Sequence, residues 1–421
     1  MKPRTHKDAI HLDTTGFAPN LTRRHRVGRM WLLIFQVATI VGIIVLATLL
    51  LNVMNGAFGY VAVENEVDPD TLAVNGVPLD ALPKDELVRI LQENVSAGLF
   101  RRLESDMSFT ERTRQDVYNL VQERVVEPRV VRQWTLQDSI FRRAQVKAEA
   151  ASTYPKAELH FKSWLDGEFI LNPQSAKAES AGVRTAILGS LWTVGIAIAF
   201  AFPVGVGGAI YLEEYAADNA INRVIRTNIN NLGGVPSIIY GMLGLAIFVR
   251  ALEPLTSGTL WGAADPTTAN GRTILSAGLT LGLLILPMII INAQEAIRAV
   301  PSSLRQASYG LGATRWQTVW HHVLPNAMPG VLTGAILAIS RAMGETAPLV
   351  VIGASTFINV DPSGPFAKFT TLPIQIYQWT SRPQDVFRNI AAAAIIVLVL
   401  LLLSLNASAV ILRNRFSRRL N

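Results

Sequence analysis

Ser340–Leu349 reads SRAMGETAPL, which sets Arg341 and Glu345 four residues apart, with Thr346 beside them, inside a stretch otherwise apolar enough to cross a membrane. At the centre of a bilayer helix each such charge costs on the order of 2.5–3.5 kcal/mol on insertion scales, so something other than lipid must face the pair. At i and i+4 of one helix the two side chains can reach each other, and an internal ion pair that neutralises both is the plainest reading. The alternative is functional: intramembrane ionisable residues mark substrate, proton or ion paths. Gly344 and Pro348 would loosen the helix there and allow close approach.

Little else in the chain carries chemistry. There are no cysteines, hence no disulfides, thiolate metal sites or thiol nucleophiles, and the six scattered histidines lack partners with metal-ligand spacing. No paired carboxylates or nucleophile constellation appears, so the chain does not read as an enzyme. No Gly-Lys dipeptide occurs, which excludes a phosphate-cradling G-x-x-x-x-G-K-[ST] loop. The +7 formal charge belongs to no recognised nucleic-acid-binding motif, so no nucleic-acid partner is expected.

Half of the 421 residues are hydrophobic and only 16% are charged, the composition of a membrane protein whose first partner is the lipid bilayer. Six apolar runs are long enough to span: Trp31–Leu51, Ala186–Leu212, Leu232–Val249, Ile274–Ile291, Ala327–Ile352 and Ile390–Leu412. The fold class is therefore an all-α integral membrane protein with six transmembrane helices. Arg23, Arg24, Arg26 and Arg29, then Arg223 and Arg226, then Arg298, Arg305 and Arg315, then Arg413, Arg415, Arg418 and Arg419 fall on one side of these spans. The short loops opposite hold fewer, among them Arg272, Lys368, Arg382 and Arg388, so the positive-inside rule puts both termini in the cytoplasm. A basic cytoplasmic leader (1–29) precedes transmembrane helix 1 (30–52), and a five-helix core (183–421) follows a soluble extracytoplasmic insertion (53–182).

That insertion holds 15 Lys+Arg and 20 Asp+Glu, against a basic remainder. Ser108 and Glu111 have capping-box spacing ahead of apolar Val117, Leu120, Val121 and Val125, with Pro128 as a stop, which predicts a helix. Asp166-Gly167 and Asn75-Gly76 each sit between strand-like runs and predict hairpin turns, so the insertion is α+β. It reads as a structural insertion or a partner-docking element.

Between spans four and five, the loop 295–325 breaks at Gly310-Leu311-Gly312 into two predicted helices. In the second, Trp316, Val319, Trp320 and Val323 share one face, so it either rides on the membrane surface or fits a groove in a partner. The loop also carries Gln306-Ala307-Ser308, Gly312 and Leu324-Pro325 at the spacing of the E-A-A…G…I-x-L-P signature of binding-protein-dependent ABC importer permeases. Its departures from that signature include Gln306 and His322. Together with GVPSIIYGMLGL (Gly234–Leu245) and SRAMGETAPL, the chain resembles the phosphate-importing branch of that family.

The resemblance implies a type I ABC importer permease fold in a bacterial inner membrane, with ATP and Mg bound by a partner and no cofactor in this chain. It implies as partners a homologous permease subunit, an ATPase subunit dimer and an extracytoplasmic phosphate-binding protein. ATPase coupling then falls to Gln306, Ala307, Gly312, Trp316, Val319, Trp320, Leu324 and Pro325. The substrate path falls to Arg341, Glu345 and Thr346, where a guanidinium would offer planar, bidentate N–H groups to a desolvated phosphate. The competing readings are an importer of another oxyanion, sulfate or molybdate, and a secondary transporter or channel that uses the Arg341–Glu345 pair.

Overall fold

A computed structural model describes residues 21–417 apart from 75, 107, 264–270, 355–356 and 359. Its chain separates into two units, residues 1–52 and 53–421. Among the described residues, five helices are long and apolar enough to cross a membrane: Leu21–Ala57, Arg184–Tyr215, Ile274–Arg298, Arg315–Gly344 and Asp385–Arg415. Ala220–Leu232 and Ser237–Ala251 meet the same criterion only as a pair, bent by 108° at a short break, and together take the place of span three.

Two of these differ from the expected spans. The run Leu232–Val249 contains the break: Gly233 and Gly234 close the first helix, Pro236 cannot donate and biases Val235 toward extended backbone, and Ser237 restarts the chain. The Tyr240 hydroxyl donates to the Leu232 carbonyl at 2.8 Å across the bend. Span five starts at Arg315, upstream of the expected Ala327, and stops at Gly344 instead of Ile352. Pro348 explains the stop, because its ring would clash with the Gly344 carbonyl four residues back in a continuous helix. Glu345 is accordingly extended (ψ 124°), and a short helix, Ala347–Ile352, begins afresh.

Spans two and four pack closely because small residues let their backbones approach. A Cβ on Gly278 would lie 2.6 Å from Ile196, and one on Gly282 would lie 2.7 Å from Phe200. Around this seam Ala197, Ala201, Leu281, Ile285 and Ile289 form the centre of the largest apolar core.

The insertion is built on a three-stranded antiparallel sheet in the order β2–β1–β3, from β1 (Phe58–Asn65), β2 (Pro128–Gln133) and β3 (Glu158–Ser163). Successive side chains of a strand point to opposite faces, and in central β1 both faces are covered. Val61 joins Trp164, Phe169, Trp379, Phe387 and Ile390 in a core shared with the membrane helices, while Ala62 packs with Trp134, Val146 and Ala150. A separate core gathers Leu87, Leu91, Val117, Val121 and Val125.

The predicted helix is present as Arg114–Val121, extended by a π-turn to Val126, and Pro128 follows it as the first residue of β2. Its capping box is Thr113 with Asp116, not Ser108 with Glu111. Pro128 is preceded by Glu127 at φ 41°, which turns the chain out of the helix. Asp166-Gly167 is not a hairpin turn. The Asp166 carboxylate accepts from the Phe169 amide at 2.7 Å and caps a short helix, Gly167–Leu171, whose Phe169 is buried. Val74 and Val77 do bridge, with Gly76 at φ 79°, while Asn75 lies outside the described residues.

Candidate functional site

Arg341 occupies the last turn of span five. Ala338, Ala342 and Met343 are buried on the core side of that turn, and the Ser340 hydroxyl bonds Asn406 of span six at 2.7 Å. These contacts fix the rotation of the helix and leave the Arg341 side chain 41% exposed beside Glu345 at 18%. The pair is made across the helix end, not within one helix, because Glu345 already lies on extended backbone. Arg341 Nε meets Glu345 Oε1 at 3.4 Å, a single and long contact for a charge-assisted bond. The two terminal guanidinium nitrogens have no partner among the described residues, so the planar fork stays open.

Thr346 is half-buried and does not cap the helix that follows it. Next to it, Pro348 is buried against span three, where a Cβ on Gly241 would fall 2.6 Å from Pro348 Cα. The break after Gly344 is thus wedged in place on one side while Arg341 faces outward.

In the loop, Ser302–Gly310 forms the first helix. Gly312 takes the left-handed conformation, φ 83°, and Thr314 and Gln317 make a capping box that starts the next helix. That helix is not a separate short element. It runs through a π-turn, Val319–Val323, straight into span five. The buried bond between the Ser308 and Thr318 hydroxyls, 2.8 Å, ties the two helices together.

The expected single apolar face is divided. Val319 and Val323 are buried in the chain itself, whereas Trp316 and Trp320 are exposed and stacked with ring centroids 5.6 Å apart. Gln306, Ala307 and Gly312 are exposed as well, Leu324 and Pro325 are half-buried, and Leu311 at the tip is 91% exposed. An exposed apolar tip beside a stacked tryptophan pair is chemistry suited to a groove in another protein.

The sequence reading missed two acids. Glu213 and Glu214, at the end of span two, are nearly buried and hold Arg226, Arg298 and Arg305. In the sequence these arginines read only as topological charges. The available signal was a pair of adjacent carboxylates, YLEEY, on an otherwise basic side of the chain.

The family described as binding-protein-dependent transport system inner membrane component matches residues 186–421, more than half of the chain. The chain belongs to this family. The matched residues of the permease include spans two to six, the loop, Arg341 and Glu345, while span one and the insertion precede them. Phosphate transport system permease protein PstA 1 of Mycobacterium tuberculosis is 35% identical over 242 residues, 57% of this chain and 73% of that one. Probable ABC transporter permease protein YqgI of Bacillus subtilis is 35% identical over 218 residues, 51% of this chain and 68% of the relative. Among solved structures, a bacterial alginate ABC transporter in complex with its alginate pentasaccharide-bound periplasmic protein has a chain 16% identical, with a TM-score of 0.43 over 76% of this chain and 98% of that one. At that level of likeness, family membership rests on the sequence match.

Proposed function

We propose that this permease forms, with a homologous permease subunit, the membrane path of an ATP-driven phosphate importer. The observation that carries the reading is the open guanidinium fork of Arg341. Its Nε rests against Glu345, and two N–H-bearing nitrogens remain for the oxygens of a tetrahedral anion. The 35% identity to a phosphate transport permease gives that anion its name. Glu345 keeps the fork oriented and limits how tightly the anion is held, since a transporter must also release it.

In this reading the loop side is cytoplasmic, in keeping with the arginine distribution, and the insertion is extracytoplasmic, open to an extracytoplasmic phosphate-binding protein. Leu311, Trp316 and Trp320 dock into an ATPase subunit dimer that binds ATP and Mg. This chain then supplies shape and anion contacts but no hydrolytic chemistry. The test is ATP-dependent uptake by the complex reconstituted with its binding protein, supplied with phosphate, sulfate or molybdate. Uptake of phosphate alone is expected, and preferential uptake of sulfate or molybdate would replace the substrate.

A further inference from the structure

Glu213 and Glu214 lie on a π-turn, Tyr211–Tyr215, that ends span two. Their side chains are only 11% and 7% exposed. Successive residues of a helical turn point in different directions, so two adjacent carboxylates can address different elements. Glu213 accepts from Arg226 Nη1 at 2.9 Å, on the helix Ala220–Leu232, and from Arg298 Nη2 and Nε at 2.8 and 3.3 Å, at the end of span four. Arg226 also donates to the Leu212 carbonyl. Glu214 accepts from Arg305 Nη2 and Nε at 2.8 and 3.0 Å, on the loop helix Ser302–Gly310. Arg305 further donates to the Val300 and Ile297 carbonyls at 2.7 and 2.9 Å, which fastens the loop helix to the end of span four.

We propose that Glu213 and Glu214 are positioning residues that lock the loop helix to spans two and four, so that a push on the docking tip moves those spans as one block. Burying charge is costly, and apolar side chains of similar volume generally hold a core as well or better. What three arginines on two carboxylates add is direction, because side-on guanidinium contacts fix angle as well as distance. Span five joins the loop helix by other means, the turn at Gly312 and the Ser308–Thr318 bond, so the loop has two distinct outputs.

The inference rests on the reading that the loop docks an ATPase. It is tested in the complete reconstituted complex with its binding protein and inorganic phosphate, by measuring phosphate moved per ATP hydrolysed. Complexes that carry Glu214→Gln or Arg305→Met should each assemble, and their ATPase subunits should continue to hydrolyse ATP. Each should lower the transported-to-hydrolysed ratio roughly 5- to 150-fold, the range of typical coupling free energies. Arg305→Lys should recover part of the loss, and the Glu214→Gln/Arg305→Met double variant should be no worse than either single. Uptake and hydrolysis that fall in proportion, or a ratio that does not change, would overturn the inference while leaving the docking reading intact. An unaltered chain that retains no ATPase subunit would overturn both.

Discussion

Arg341 keeps two guanidinium nitrogens open because its neighbours hold only the helix around it. Replacing it with lysine preserves the charge but gives up the planar fork, and each hydrogen bond to a charged group is worth about 1.5–3 kcal/mol. Arg341→Lys is therefore expected to cut phosphate uptake roughly 10- to 100-fold with assembly intact, as measured in reconstituted vesicles. Glu345→Gln should impair uptake less, since it loosens the fork without removing it. The pair was legible in the sequence because charge inside an apolar run is costly wherever it occurs. Its setting was not, since the helix stop at Gly344 is caused by Pro348, whose ring acts four residues upstream of itself. The role of Glu213 and Glu214 was hidden for a different reason: YLEEY marks the two acids, but their partners lie 13, 85 and 91 residues away, and no local spacing encodes such contacts.

At the scale of elements, the loop helix and the head of span five separate two kinds of apolar residue that helical periodicity merges. A 3.6-residue pattern places Trp316, Val319, Trp320 and Val323 on one side, but cannot tell which half of that side the chain covers itself. Val319 is fully buried and Trp316 is 59% exposed, so equal truncations should have unequal effects. Val319→Ala should lower the thermal stability of the detergent-solubilised subunit, by on the order of 1–3 kcal/mol for a large-to-small core change. Trp316→Ala with Trp320→Ala should leave that stability nearly unchanged and reduce co-purification of the ATPase. Gly312→Val should reduce coupling too, because a β-branched residue at φ 83° costs roughly 1–3 kcal/mol of backbone strain.

For the molecule as a whole, composition and apolar run length revealed the membrane class and located five long apolar helices and the bent pair in the place of span three, since those follow from summed hydropathy. The fine topology of the insertion depended on turn chemistry that has more than one outcome: an Asp-Gly pair serves a hairpin or a helix cap, and burial of Phe169 decides for the cap. Protease added from outside should cleave within residues 53–182 and spare the tail after Leu412, and cleavage of the tail alone would reverse the proposed orientation. The insertion should also respond to acid. The hydrogen bond from Lys177, at 2.7 Å, holds the Glu127 carboxyl below the usual carboxylate range. A carboxylate with a lowered folded-state pKa contributes stability that is complete above its unfolded value, about 4.3, and is lost as pH falls through the folded value. Unfolding of the insertion should therefore become easier below about pH 4, and Glu127→Gln should flatten that dependence.

In the proposed function Arg341 and Glu345 serve an anion and do not merely cancel each other. Phosphate uptake by the reconstituted complex carrying Arg341→Gln and Glu345→Gln together separates these two roles. The double variant removes both charges, so a pair that exists for neutrality loses nothing by it. The expected complex assembles normally and fails to transport phosphate, and uptake at the level of the unaltered protein would overturn the role of the pair.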